Sequence, residues 1–225
     1  MFHVKRLISF VLIIASFKSY SQNALFFKEV ALPHPVKVDQ TVYEWNTMQI
    51  HFKNLSSKEQ EFYYWVNYSR INPLRFFDSA VKPLTKIYPQ LAGENLESLN
   101  HDLKNSPILP LLNLNDTLIK MAKMHASDIT SHNAPPSHQS INGDSFIDRF
   151  KKHGLQKCGS ENISFGAGSE DPLFMLVLLY LDIGVAELGH RKTLLNPLYT
   201  ETGIDISFYK NGNIFLVEDF SCAQK

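Results

Sequence analysis

Cysteine is scarce in this chain, long apolar runs are few, and neither sign of charge is in excess. Each shortage narrows what the protein can be. Cys158 and Cys222 are the only two cysteines, so no CxxC pair is available for a thiolate metal site. HExxH, P-loop and GxSxG patterns are missing as well, and any chemistry has to be assembled by the fold rather than by a local motif. No apolar run reaches the ~20 residues that a membrane-spanning helix needs. The 22 basic and 22 acidic residues cancel, which argues against a nucleic-acid binder, because such proteins carry a basic excess. There is no internal repeat and no low-complexity segment. What remains is 225 residues at 44% hydrophobic content, enough for one well-buried core and one main domain.

The start, "MFHVKRLISFVLIIASFKSYSQN", has a basic pair (Lys5, Arg6), an apolar run from Leu7 to Phe17 and a small-x-small site at Ser19-Tyr20-Ser21. These are the parts of a secretory signal peptide over residues 1–21, with cleavage expected before Gln22. No cysteine follows the run to take a lipid. Removing residues 1–21 takes away Lys5, Arg6 and Lys18 and no acid, leaving 19 basic against 22 acidic residues, a formal charge of −3. Export favours one disulfide between Cys158 and Cys222, worth about 4 kcal/mol in the chain-entropy picture.

Residues 22–54 read as an irregular N-terminal extension with a strand near 42–52, "VYEWNTMQIHF". From residue 55 onward a single domain is expected. Ser57 with Gln60 forms a capping-box pattern opening a helix through Phe62, Trp65, Val66 and Tyr68, and Pro73 suits the first position of a second one. The proline-rich stretch 83–110 predicts one short helix flanked by loops. Asn115 or Asp116 caps "DTLIKMAKMHASDIT", where Leu118, Ala122, His125 and Ile129 share a face. A short helix around Ser145–His153 ends at Gly154. "KCGSENISFG" reads as a strand, and "LFMLVLLYLDIGV" as a buried helix of about 12 residues. "TGIDISFY" and "NIFLVEDF" flank Lys210-Asn211-Gly212, a tight-hairpin signal. Helices preceding a small antiparallel sheet make an α+β layout.

Glu161 stands out in "GSENIS", because a half-buried carboxylate costs several kcal/mol unless it is paired. His138 in "PSHQS" and His190 with Arg191 in "LGHRKTLLNP" are the other candidates. His125 is expected as a hydrogen-bonded core residue, His132 as solvated, and Asn162 as a backbone-binding amide. Arg191 is expected in a structural ion pair, with Glu161 as a candidate partner.

Taken in order, "MAKMHASDI", "SHQSINGD", "DRFKKHGL", "SENISFG", "GHRKTLLNPLYTETGID" and "LVEDF" resemble the CAP superfamily of cysteine-rich secretory, antigen-5 and pathogenesis-related proteins, in its exported bacterial form. The likeness covers roughly residues 55–220. It implies a three-layer α-β-α sandwich with a small central antiparallel sheet, and a cleft gathering His138, Glu161 and His190. The literal Gly93-Glu94-Asn95-Leu96 comes before the histidine stretch and is set aside for Gly159-Ser160-Glu161-Asn162. The family's second glutamate has no direct match, and Asp182 and Glu187 stand as its candidates.

Two imidazoles with a carboxylate suit a divalent ion, zinc by ligand type, with His138 and His190 as its ligands. No Ser, Thr or Cys nucleophile is identifiable beside a base. The resemblance implies an exported or periplasmic, non-enzymatic binding module for a metal ion, a small apolar ligand such as a lipid, or a protein. The alternative is a zinc-dependent hydrolase using His138, Glu161 and His190.

Overall fold

The computed structural model describes residues 38–166, 171–185 and 187–224. The expected signal peptide and most of the "GAGSED" loop lie outside these. The first described element corrects the strand expected near 42–52. Residues Gln40–Met48 form a helix, α1, capped by Asp39, whose side chain accepts from the Val42 N–H. The β-branched and aromatic residues there suggest a strand, but burial at i and i+4 decides for a helix. Val42 and Asn46 are buried, and Asn67 donates to Asn46 Oδ1 at 2.9 Å.

The next helix, α2 (Ser57–Ile71), starts one residue earlier than expected. Its cap is Ser56, and Glu59, not Gln60, closes the box by accepting from the Ser56 N–H at 2.6 Å. Glu59 also accepts from the Ile206 N–H at 3.0 Å, which ties the helix start to the sheet. Pro73 opens α3 (Pro73–Phe76). The proline-rich stretch holds two helices rather than one, α4 (Lys82–Ile87) and α5 (Glu94–Asn105). Then follow β1 (Asn113–Leu114), α6 (Asp116–Ser131) capped by Asn115, α7 (Phe146–Lys152) capped by Ser145, and β2 (Gly159–Gly166). The chain closes with α8 (Pro172–Leu181), α9 (Gly189–Leu194) and the hairpin β3 (Glu201–Phe208) with β4 (Ile214–Ser221). Gly212, at φ +84°, takes the left-handed position of that turn.

The sheet runs β1-β3-β4-β2. β2, β4 and β3 are antiparallel, and the two-residue β1 adds a parallel edge beside β3. Alternation puts Gly203, Val217, Phe215, Asp219 and Glu161 on one face, where α6 and α7 pack. Ile204, Ile206, Leu216, Phe220 and Asn162 lie on the other, under α2, α8 and α9, where the larger core forms. Helices therefore cover both faces, an α-β-α sandwich. Each fully buried Leu or Phe of that core contributes about 1.5–3 kcal/mol. Cys158 and Cys222 form a disulfide that fastens the start of β2 to the end of β4.

Candidate functional site at the free edge of the sheet

β2 is an edge strand, and its consecutive residues Glu161 and Asn162 point to opposite faces. The site is built around that divergence. On the α6 face, the buried Glu161 carboxylate accepts from His138 Nδ1 at 2.8 Å through one oxygen and from Arg149 Nη2 through the other. Burial works to raise the Glu161 carboxyl, but the His138 hydrogen bond and the Arg149 charge outweigh it and hold the group below its ordinary value. Arg149 comes from α7, and its Nη1 donates to the His138 carbonyl at 2.9 Å, so one guanidinium fixes both the acid and the loop.

His125 lies behind this pair, 4.0 Å from Glu161. Burial lowers its imidazole below the usual range. Its Nε2 donates to the Ser137 carbonyl at 2.8 Å and its Nδ1 accepts from Ser140 Oγ at 3.3 Å. It pins the His138 loop. His132 is exposed, with Nδ1 on the Asp128 carbonyl.

On the other face, Asn162 Nδ2 donates to the His190 carbonyl at 3.2 Å. His190 is the second residue of α9, and its Nδ1 donates to Asp182, a buried residue in the left-handed region (φ +53°) at the C-cap of α8. The second Asp182 oxygen accepts from the Arg191 N–H at 2.9 Å. Of the two candidates for a further acid, the structure brings Asp182 to His190. Glu187 is instead exposed, 3.8 Å from Lys192, and touches neither histidine.

Arg191 does not pair with Glu161. Its guanidinium is buried and donates to Asp102 Oδ2 at 3.0 Å, Ser98 Oγ at 2.8 Å and the Tyr180 carbonyl at 2.7 Å, which locks α5 and α8 to α9. The early Gly93–Leu96 stretch is part of the same lock. It opens α5, and Asn95 Nδ2 donates to the Leu181 and Asp182 carbonyls.

The result is two histidine–carboxylate pairs on opposite faces of one edge strand. Among the described residues no hydrogen bond or ion pair joins them, and no third His, Cys, Asp or Glu converges with them as a metal-holding group. Nor does any described residue take either Nε2 atom. His138 is half exposed and His190 partly so.

Three residues of this region escape a residue-by-residue reading of the sequence. Arg149, in "DRFKKHGL", is flagged only by being a cation beside the apolar Phe150. Glu218 and Asp219, adjacent in "LVEDF", necessarily face both cores of a central strand. Asp219 pairs directly across from Glu161, and burial together with the Glu161 charge pushes its carboxyl far above the ordinary range.

The model of the Cysteine-rich secretory protein (CAP) family matches residues 68–220, more than half the chain. The chain belongs to this family. No curated protein matches it. Among solved structures, this CAP domain is similar to an extracellular SCP-domain protein from Bacillus anthracis, at 25% identity and TM-score 0.40 over 57% of this chain and 37% of that one. The chain thus spans well under half the length of that protein. It is also similar to an outer surface protein from Borrelia burgdorferi, at 21% identity and TM-score 0.43, covering 66% of this chain and 96% of that one. The CAP domain of enterococcal PrgA matches at 18% identity and TM-score 0.36, covering 88% and 87%. No helix among the described residues is long and apolar enough to cross a membrane.

Proposed function

We propose that this CAP domain is an exported, non-enzymatic binding module whose ligand seats along the edge of β2, between His138 and His190. The ligand classes are a divalent metal ion, a small apolar molecule such as a lipid, or a protein. The observation that carries this reading is that each imidazole is tied through Nδ1 to a buried carboxylate, which orients the ring, while Nε2 has no partner among the described residues. That is how ligating or hydrogen-bonding histidines are held. The apolar run of residues 7–17 supports export.

Among the described residues the donor set does not compose a three-ligand zinc centre. Both oxygens of Glu161 and of Asp182 are engaged, so neither carboxylate stands ready as a general base for the hydrolase alternative. His138 and His190 would be the protein's contribution to a bound ion, with the remaining positions open.

Calorimetric titration of zinc into the metal-stripped mature chain tests the metal class. Saturable binding, lost in the His138→Ala/His190→Ala variant and weakened in acid as imidazole protonates, is the expected outcome. Heat traces identical to buffer in the wild type would remove the metal and leave the apolar and protein ligands.

A further inference from the structure

Behind the His138 loop, α6 and α7 line a groove of about 800 Å³. Lys120 and Lys123 stand one turn apart on the outer stripe of α6, and Arg149 and Lys152 of α7 line the groove with His153, the C-cap of that helix. The lining holds four cations against two carboxylates, Asp128 and Asp144. Both acids are already engaged: Asp128 accepts from the Ile141 N–H at 2.8 Å, and Asp144 accepts from Lys152 Nζ at 2.5 Å and Asn142 Nδ2 at 2.9 Å. Lys123 has no carboxylate within ion-pair distance among the described residues.

A row of lysines on an exposed helix is ordinarily just a solvated face. Two features set this one apart. The charges come from two elements and converge on a concavity, and Arg149 and His125 in its wall are buried side chains rather than surface ones. Arg149 donates to Glu161, the His138 carbonyl, Ser140 Oγ and the Asp144 carbonyl, which fixes a buried positive charge in the wall of the groove. The Lys120–Asp116 pair is solvent-exposed on both sides and contributes little, so Lys120 stands ready beside Lys123, while recruiting Lys152 exchanges its contact with Asp144.

We infer that the α6–α7 groove is a binding site for a phosphate-ester dianion, sharing the Arg149 and His125 wall with the His138 loop. The phosphate belongs either to a soluble metabolite or to a lipid headgroup, and the two sources separate by experiment. Inorganic pyrophosphate is titrated into the mature chain at low ionic strength, and in parallel the chain is sedimented with phosphatidylcholine vesicles with and without phosphatidic acid. The same measurements are made on Lys120→Gln/Lys123→Gln/Lys152→Gln, which leaves Arg149 intact because it anchors Glu161. Saturable pyrophosphate binding that weakens about tenfold in the variant and falls with added salt supports a soluble phosphate ester. Sedimentation only with phosphatidic acid vesicles, lost in the variant, supports a headgroup. Unchanged circular dichroism shows that the variant is folded. Failure of the wild type to bind either probe, or equal binding by the variant, overturns the inference.

Discussion

Glu161 and Arg149 are both buried, and removing either strands the charge of the other. Breaking such a pair costs about 3–5 kcal/mol. Glu161→Gln is therefore expected to lower the urea unfolding free energy by about 3 kcal/mol, while Glu161→Gln with Arg149→Met recovers part of that loss. Additive losses would mean that the two side chains do not interact. Glu218 makes the opposite kind of prediction. It is fully buried on the α2 face, and burial pushes its carboxyl up to about 8 against the opposing influences of the Thr202 hydrogen bond and the Arg70 charge. An acid with a raised folded value stabilises the fold fully below its unfolded value near 4.5 and progressively less as pH rises towards 8. Stability should fall across that window, and Glu218→Gln should flatten the fall. Asp219 acts in the same sense, so the difference between wild type and variant isolates Glu218.

Between elements, β3 and α6 approach closely at Gly203. A Cβ on Gly203 would sit 2.1 Å from the backbone of Leu118 and Ile119, atoms that cannot rotate away. Gly203→Ala is expected to destabilise by at least the ~1–3 kcal/mol of overpacking, with a clear drop in thermal midpoint, even though its backbone conformation is open to alanine. At the helix start, Asn115 accepts from the N–H groups of Thr117 and Leu118, and Asn115→Ala should cost about 1 kcal/mol in chemical denaturation. That cap was legible in the sequence to within one residue, Asn115 or Asp116, because polar acceptors precede an uninterrupted helical stripe. Thr41, Val42, Tyr43 and Trp45 were not legible, because their β preference is overridden by packing on α2 that no local pattern carries. Ser56 and Ser57 offer two overlapping capping boxes, and only the reach of Glu59 to Ile206 on the sheet selects the first. The same holds for residues 83–110, where prolines mark helix starts as readily as breaks.

At the scale of the whole molecule, the sandwich depends on β2 staying attached to β4, and the disulfide closes that strand pair at one end. Reduction should lower the unfolding free energy by about 4 kcal/mol, seen as an earlier urea midpoint with reductant present. The α+β layout could be read from the order of the helical and strand segments, and the three layers from the family-like motifs. The partition of the site could not. Strand alternation separates Glu161 from Asn162, but which face receives His138 and which receives His190 depends on where α6, α7, α8 and α9 pack. Arg191 likewise pairs with Asp102, 89 residues away, a contact that neither spacing nor charge pattern reveals. The central claim is that buried carboxylates orient both edge imidazoles through Nδ1, with Nε2 unpartnered among the described residues. Long-range nitrogen–proton correlation spectra of the His138 and His190 rings, recorded at mildly alkaline pH, test it directly. The account predicts that both rings carry their proton on Nδ1, with an unprotonated Nε2. Rings protonated on Nε2 would show that Glu161 and Asp182 do not hold them, and the binding edge proposed here would not exist.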